Sequence, residues 1–145
     1  MSRSGYSDEC EHIELWRGAV DRALGGARGQ HFLRKLRDAL DAMPVKRLIA
    51  NAIADRTGEV CAMGAVDPSA RVDPHDRDAV GRHFGIAPAM AAEIAYLNDE
   101  CGERWEPEDV VGIGRRFRTI PETPEERWTR MRAWVEQQIV PEEQG

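Results

Sequence analysis

Apolar residues recur at three-to-four spacing along most of this chain, the period of a helix with one buried face. Ile13, Trp16, Val20, Ala23 and Leu24 form one such stripe and predict a helix over about 8–24, ended by Gly25-Gly26. Phe32, Leu33, Leu36 and Leu40 predict a second over about 30–42, stopped by Pro44. The short connection between them makes the two helices expected antiparallel neighbours. Val80 and Phe84 mark a third over about 74–84, closed by Gly85, and Met90, Ile94 and Leu97 a fourth over about 88–98. Trp128, Met131, Val135 and Ile139 mark the last, over about 124–139.

Proline punctuates these stripes. Pro74, Pro88, Pro107 and Pro124 each read as a first helical residue, where no N–H donor is needed. Asp73 and Thr123 precede two of them as caps, and Thr123-Pro124-Glu125-Glu126 has the capping-box form. On this basis 107–118 is expected to be a helix, weakened by Gly112 and Gly114. Residues 45–55 fit a helix or a strand. A short extended segment is the expectation, because Pro44 precedes it and Thr57-Gly58 turns the chain, although a lone strand needs a partner and none is obvious. The fold class is therefore all-α or α-dominated, with six to seven short helices around one core in a single domain over 1–145, and a minor extended segment near 45–55.

Composition agrees with a globular domain: 41% hydrophobic and 32% charged residues are outside the disordered range. The formal net charge of −6 disfavours nonspecific binding to DNA or anionic membranes and leaves a basic protein as a natural partner. The N-terminal Met1-Ser2-Arg3-Ser4-Gly5-Tyr6 lacks an apolar region, so no secretory leader is expected. No stretch approaches the roughly 20 apolar residues of a membrane span. Three scattered cysteines argue against a disulfide framework, and a cytoplasmic location is the expectation. Charge is uneven: 28–56 holds seven basic and three acidic side chains, 93–109 seven acidic and one basic. Such asymmetry marks an interaction surface or the solvated faces of amphipathic helices.

Candidate chemistry is sparse. Cys61 opens a small-residue run, Cys61-Ala62-Met63-Gly64-Ala65-Val66, after a turn-like Asp55-Arg56-Thr57-Gly58. A cysteine at a helix start can have its thiolate stabilised there, so Cys61 is the candidate nucleophile, with His83 (or His31 or His75) as base and Asn98 or Asp99 as orienting group. The competing reading makes Cys61 a small core residue and Asn98-Asp99 a structural corner. Cys10 and His12 point away from each other on a helix and have no second ligand pair, so no metal or other cofactor is expected. Arg115, Arg116 and Arg118 around Phe117 have the basic-aromatic look of a nucleic-acid contact, yet a net-acidic chain disfavours direct nucleic-acid binding. Trp105 lies among Glu103, Glu106, Glu108 and Asp109. An exposed tryptophan ringed by acids suits a protein-binding anchor.

The run Cys61-Ala62-Met63-Gly64-Ala65-Val66, then Tyr96-Leu97-Asn98-Asp99, then Thr123-Pro124-Glu125-Glu126-Arg127-Trp128, resembles a pattern in small accessory proteins of bacteriophages and prophages. In them a Cys-Ala-Leu-Gly-Ala-type element precedes an aromatic-x-Asn-Asp element and a final Thr-x-x-Glu helix. Trp16-Arg17-Gly18-Ala19-Val20 through Gly29-Gln30-His31-Phe32-Leu33 is also similar to the start of such proteins. The resemblance covers most of the chain and implies a genomic context rather than an activity, with no catalytic residue to carry across. The expectation it yields is a non-enzymatic phage accessory protein acting in the host cytoplasm on a host protein, one role being an anti-CRISPR-like inhibitor of a host defence system. Glu103, Trp105, Glu106, Glu108 and Asp109 would face a basic, nucleic-acid-binding complex. The alternatives are a Cys61-nucleophile hydrolase or transferase and a small nucleic-acid-binding module.

Overall fold

The computed structural model describes residues 3–5 and 13–141. The predicted helical start over 8–12, with Cys10 and His12, lies outside the described residues, as does the side chain of Ile13. The element order is α1 (Ile13–Gly25), α2 (Ala27–Ala42), α3 (Ala62–Val66), α4 (Arg77–Phe84), α5 (Pro88–Glu100), β1 (Arg104–Val110), β2 (Gly114–Ile120) and α6 (Pro124–Gln138). The described residues are mostly helical, with one small antiparallel sheet.

The core forms where the stripes meet. α2 buries Phe32, Leu33, Leu36 and Leu40 against α1, α3 and α6, as its periodicity requires. α5 is buried almost all round from Ala89 to Ala95, the composition of a helix that passes through a core rather than over it. α1 contributes Val20 and Leu24, and α6 contributes Met131 and Val135. Two glycines allow this packing. A Cβ on Gly29 would overlap the Ala23 carbonyl where α2 crosses α1, and one on Gly64 would overlap the Ile53 carbonyl beneath α3. Trp128 spans α6 and α2 by donating Nε1–H to the Leu40 carbonyl at 3.2 Å. Asp41 of α2 pairs across to Arg132 of α6 at 2.7 Å.

Helix ends follow local chemistry. Thr123 and Glu126 form both bonds of the expected capping box. α4 starts three residues later than predicted: Asp76 accepts from Ala79 N–H at 3.0 Å, whereas Asp73 accepts from His75 N–H in a preceding turn. Both aspartates have cap chemistry, and the second stands directly before the apolar stripe.

Residues 45–55, expected as a short extended segment, form an irregular strap with one bridge, Ala54↔Val60. Backbone bonds pin it on both sides, Ile49 N–H to Val60 O at 2.9 Å and Leu48 N–H to Pro124 O at 3.0 Å. The expected helix over 107–118 needs correction: these residues are the body of a β-hairpin. Arg104↔Ile120 through Val110↔Gly114 pair in register around a turn at 111–113. Gly112 and Gly114 sit at φ of +85° and +94°, so they make the turn a helix cannot contain. Pro107, expected at a helix start, stands mid-strand opposite Phe117.

Candidate functional site

The segments carrying Cys61 and Asn98-Asp99 do meet. Asn98, almost wholly buried in the last turn of α5, accepts from Ala62 N–H at 3.1 Å and donates to Ile49 O at 2.9 Å. It therefore ties α5, the start of α3 and the irregular strap together. Its amide also donates to Asp99 Oδ1 at 2.9 Å. Asp99 in turn accepts from Asn51 N–H at 3.0 Å, where the strap takes a left-handed turn at φ +67°.

Arg3 completes this buried polar hub. Its guanidinium grips Asp99 at two points, Nε to Oδ2 and Nη2 to Oδ1, both 2.7 Å, while Nη1 donates to Cys61 Sγ at 3.6 Å. Burial by itself would lower the arginine's pKa. The Asp99 hydrogen bond and charge, with the Cys61 hydrogen bond, outweigh it and hold the group above its ordinary value. Burial likewise pushes Asp99 up, but the Arg3 bond and charge, with the Asn51 and Asn98 donors, bring its carboxyl below the usual range. Ser4 follows Arg3 into the fold and donates to Glu100 at 2.9 Å.

The hub ties Arg3, the strap, the start of α3 and the end of α5 together around Cys61. Cys61 is fully buried, and its sulfur faces a guanidinium instead of an imidazole. His83, the expected base, is exposed on the outer side of α4 and contacts Asp67 Oδ2 at 2.8 Å. His31 and His75 are also exposed, His75 beside Asp73. Among the described residues no group of three or more His, Cys, Asp or Glu side chains is placed to hold a metal ion. No helix among them is long and apolar enough to cross a membrane.

The acidic run over 93–109 does not form one surface. Glu93 is buried against Arg17, and Asp99 is buried against Arg3. Glu106 and Glu108 stand in register with Arg118 and Arg116, at 3.8 and 3.3 Å. Glu103 and Asp109 remain exposed. The hairpin thus places the acidic partner-binding candidates and the basic nucleic-acid candidates on neighbouring strands of one element, a juxtaposition that a helical reading of 107–118 conceals.

Side chains alternate across a strand, so the register sorts the hairpin into two faces. One carries Glu106, Glu108, Arg116 and Arg118. The other carries Trp105, Pro107 and Asp109 beside Thr119, Phe117 and Arg115. Trp105 and Phe117 are 65% and 64% exposed, and Val111 and Ile113 extend the apolar surface over the tip. Four large apolar side chains on one projecting element exceed the scattered single exposures that need no explanation. Sequence reasoning missed Val111 and Ile113 as surface residues; the two closely spaced glycines and the β-branched residues beside them were the available signal.

The base of the hairpin is braced. Arg104 reaches Glu126 at the start of α6 at 3.2 Å. Nearby, the largely buried Glu122 takes Arg127 at 3.3 Å and Arg130 at 2.6 Å. Arg127 also donates to the carbonyls of Asn98 and Leu48, at 3.0 and 2.9 Å. The arm therefore rises from the same helix end that forms the hub.

No protein-family model, curated protein or solved structure matches this chain.

Proposed function

We propose that this chain is a non-enzymatic binding protein that docks on a partner protein through the β1–β2 hairpin. The observation that carries the reading is the exposure of Trp105, Phe117, Val111 and Ile113 on one braced arm whose two faces are both open to solvent. A two-stranded ribbon alone is marginal in water, and apolar residues displayed on one favour an intermolecular contact. Tryptophan supplies a typical anchor, with Asp109 and Arg115 as the charged groups on its own face and the Glu106 and Glu108 pairs on the other. The resemblance to phage accessory proteins adds the finer content. The partner is a host protein of the cytoplasm, and one role is inhibition of a defence complex, of the anti-CRISPR kind.

Affinity capture from a bacterial lysate tests this. The wild-type protein is compared with a Trp105→Ala/Phe117→Ala variant, and any retained protein is then purified and its affinity measured. A partner held by the wild type and released by the variant supports the reading. If every retained protein binds both equally, the hairpin is not the docking element.

One observation favours a second reading. Arg115 lies on the same face as Phe117 and Trp105, a basic-aromatic arrangement suited to stacking of single-stranded bases. Gel shifts at several salt concentrations, with Arg115, Arg116 and Arg118 changed to glutamine, separate it from protein docking.

A further inference from the structure

The two edges of the hairpin differ. Pro107 has no N–H, and a proline fits within a strand only where its nitrogen faces away from the ladder. Antiparallel pairs alternate between hydrogen-bonded and non-hydrogen-bonded, so Pro107↔Phe117 is of the second kind, as are Trp105↔Thr119 and Asp109↔Arg115. Residues in such pairs aim their N–H and C=O groups outward. On β2, Arg115, Phe117 and Thr119 therefore offer a complete row of donors and acceptors along an edge that is free among the described residues. On β1 the corresponding row lacks its central donor at Pro107, a common way of blunting an edge.

Charge selects what the β2 edge receives. β2 carries Arg115, Arg116 and Arg118 and no acid. Arg116 and Arg118 keep more than half of their side-chain surface exposed despite facing Glu108 and Glu106, so each retains donors for a second acid on its other side. Phe117 between them offers an apolar neighbour on the opposite face. β1 already displays the complementary pattern in Glu106-Pro107-Glu108, acid, apolar, acid. A second copy of this chain is a poor occupant. Two-fold pairing of β2 with itself sets arginine beside arginine, and pairing with the β1 edge of another copy meets the missing donor and does not close.

We propose that the free edge of β2 binds an extended segment of a partner protein in which acidic residues alternate with apolar ones, adding a third strand to the hairpin. This rests on the hairpin being the docking element. Main-chain bonds to Arg115, Phe117 and Thr119 supply the register. Arg116 and Arg118 select the acids, and Phe117 with its neighbours covers the apolar side chains.

The test uses the full chain and a short fluorescein-labelled peptide of alternating glutamate and valine, read by fluorescence polarisation. Binding that weakens with added salt is expected. Phe117→Pro removes the outward central donor while leaving the inner ladder, and Arg116→Gln/Arg118→Gln removes the charges. Each is expected to weaken binding by at least about tenfold, with thermal unfolding confirming that both variants fold. Equal binding of an alternating lysine and valine peptide, or undiminished binding by Phe117→Pro, overturns the proposal. So does tighter binding of a single-stranded oligonucleotide, or hairpin-dependent self-association in sedimentation without peptide binding. If a partner is captured through Trp105 and Phe117 but the glutamate peptide fails, edge pairing falls and hairpin docking stands. If capture also ignores the hairpin, both fall.

Discussion

Arg3 and Asp99 stand 96 positions apart in sequence and form a two-point ion pair in which the side chains are only 3% and 2% exposed. Removing one member of such a pair leaves a buried charge uncompensated. Asp99→Asn is therefore expected to cost about 3–5 kcal/mol in urea unfolding. Arg3→Met should cost less, because Asp99 would keep its bonds from Asn51 and Asn98. The reverse order would show that the Asn51 and Asn98 donors do not hold Asp99 without Arg3.

The same pair sets an acid limit. The carboxyl of Asp99 is held below its ordinary 3.8, so its contribution is present above that pH and is lost as pH falls through the lower folded value. A protected Arg3 Nε–H resonance should persist from neutral pH to about pH 5 and disappear only in stronger acid. Its loss near pH 6 would contradict the assignment.

Asn98 joins three segments through its side chain alone. Asn98→Ala leaves the Ala62 N–H and the Ile49 carbonyl without that partner, at about 1–3 kcal/mol for each group left orphaned. Asn98→Asp restores only the acceptor and should recover part of the loss. Chemical denaturation of the two variants checks this.

Cysteine labelling tests the placement of the sulfurs. Iodoacetamide at neutral pH should modify Cys101, which reaches the surface, and spare Cys61 until the protein unfolds. Cys101 should react more slowly than a free thiol, because burial raises its pKa more than its Tyr96 hydrogen bond lowers it. Mass spectrometry of the labelled peptides gives the answer, and rapid modification of Cys61 in the folded protein would support its reading as a nucleophile.

Binding and stability should separate in the hairpin. Trp105→Ala and Phe117→Ala are expected to change global stability by less than about 0.5 kcal/mol, as surface substitutions do. Leu36→Ala, in the fully buried stripe of α2, should cost about 2–5 kcal/mol. A large loss from the hairpin variants would mean that the arm packs on the body.

The helices were readable wherever an apolar stripe and a cap agreed. Thr123-Pro124-Glu125-Glu126 supplies a cap, a fixed φ and a reciprocal acid directly before Trp128, and α6 starts there. Around Pro107 the same proline signal misleads, because proline is equally at home at a helix start and on an outward-facing strand edge. The two glycines at 112 and 114 held the better clue. Candidate chemistry was legible only as separate words. Nothing local shows that Asn98 would reach across 36 positions to the start of α3, or that Arg3 would close over Asp99, since such contacts exist only once the chain has folded.

Gly102 has a further consequence. A side chain there would strike the Glu122 carboxylate, so the chain leaves for the arm and returns from it at nearly one point, with Arg127 and Arg130 locking the exit. A loop whose ends already touch asks little of the body when its length or content changes. Splicing out 104–120, or grafting a foreign ribbon in its place, should leave the helical scaffold folded and make it a carrier for exchangeable recognition loops.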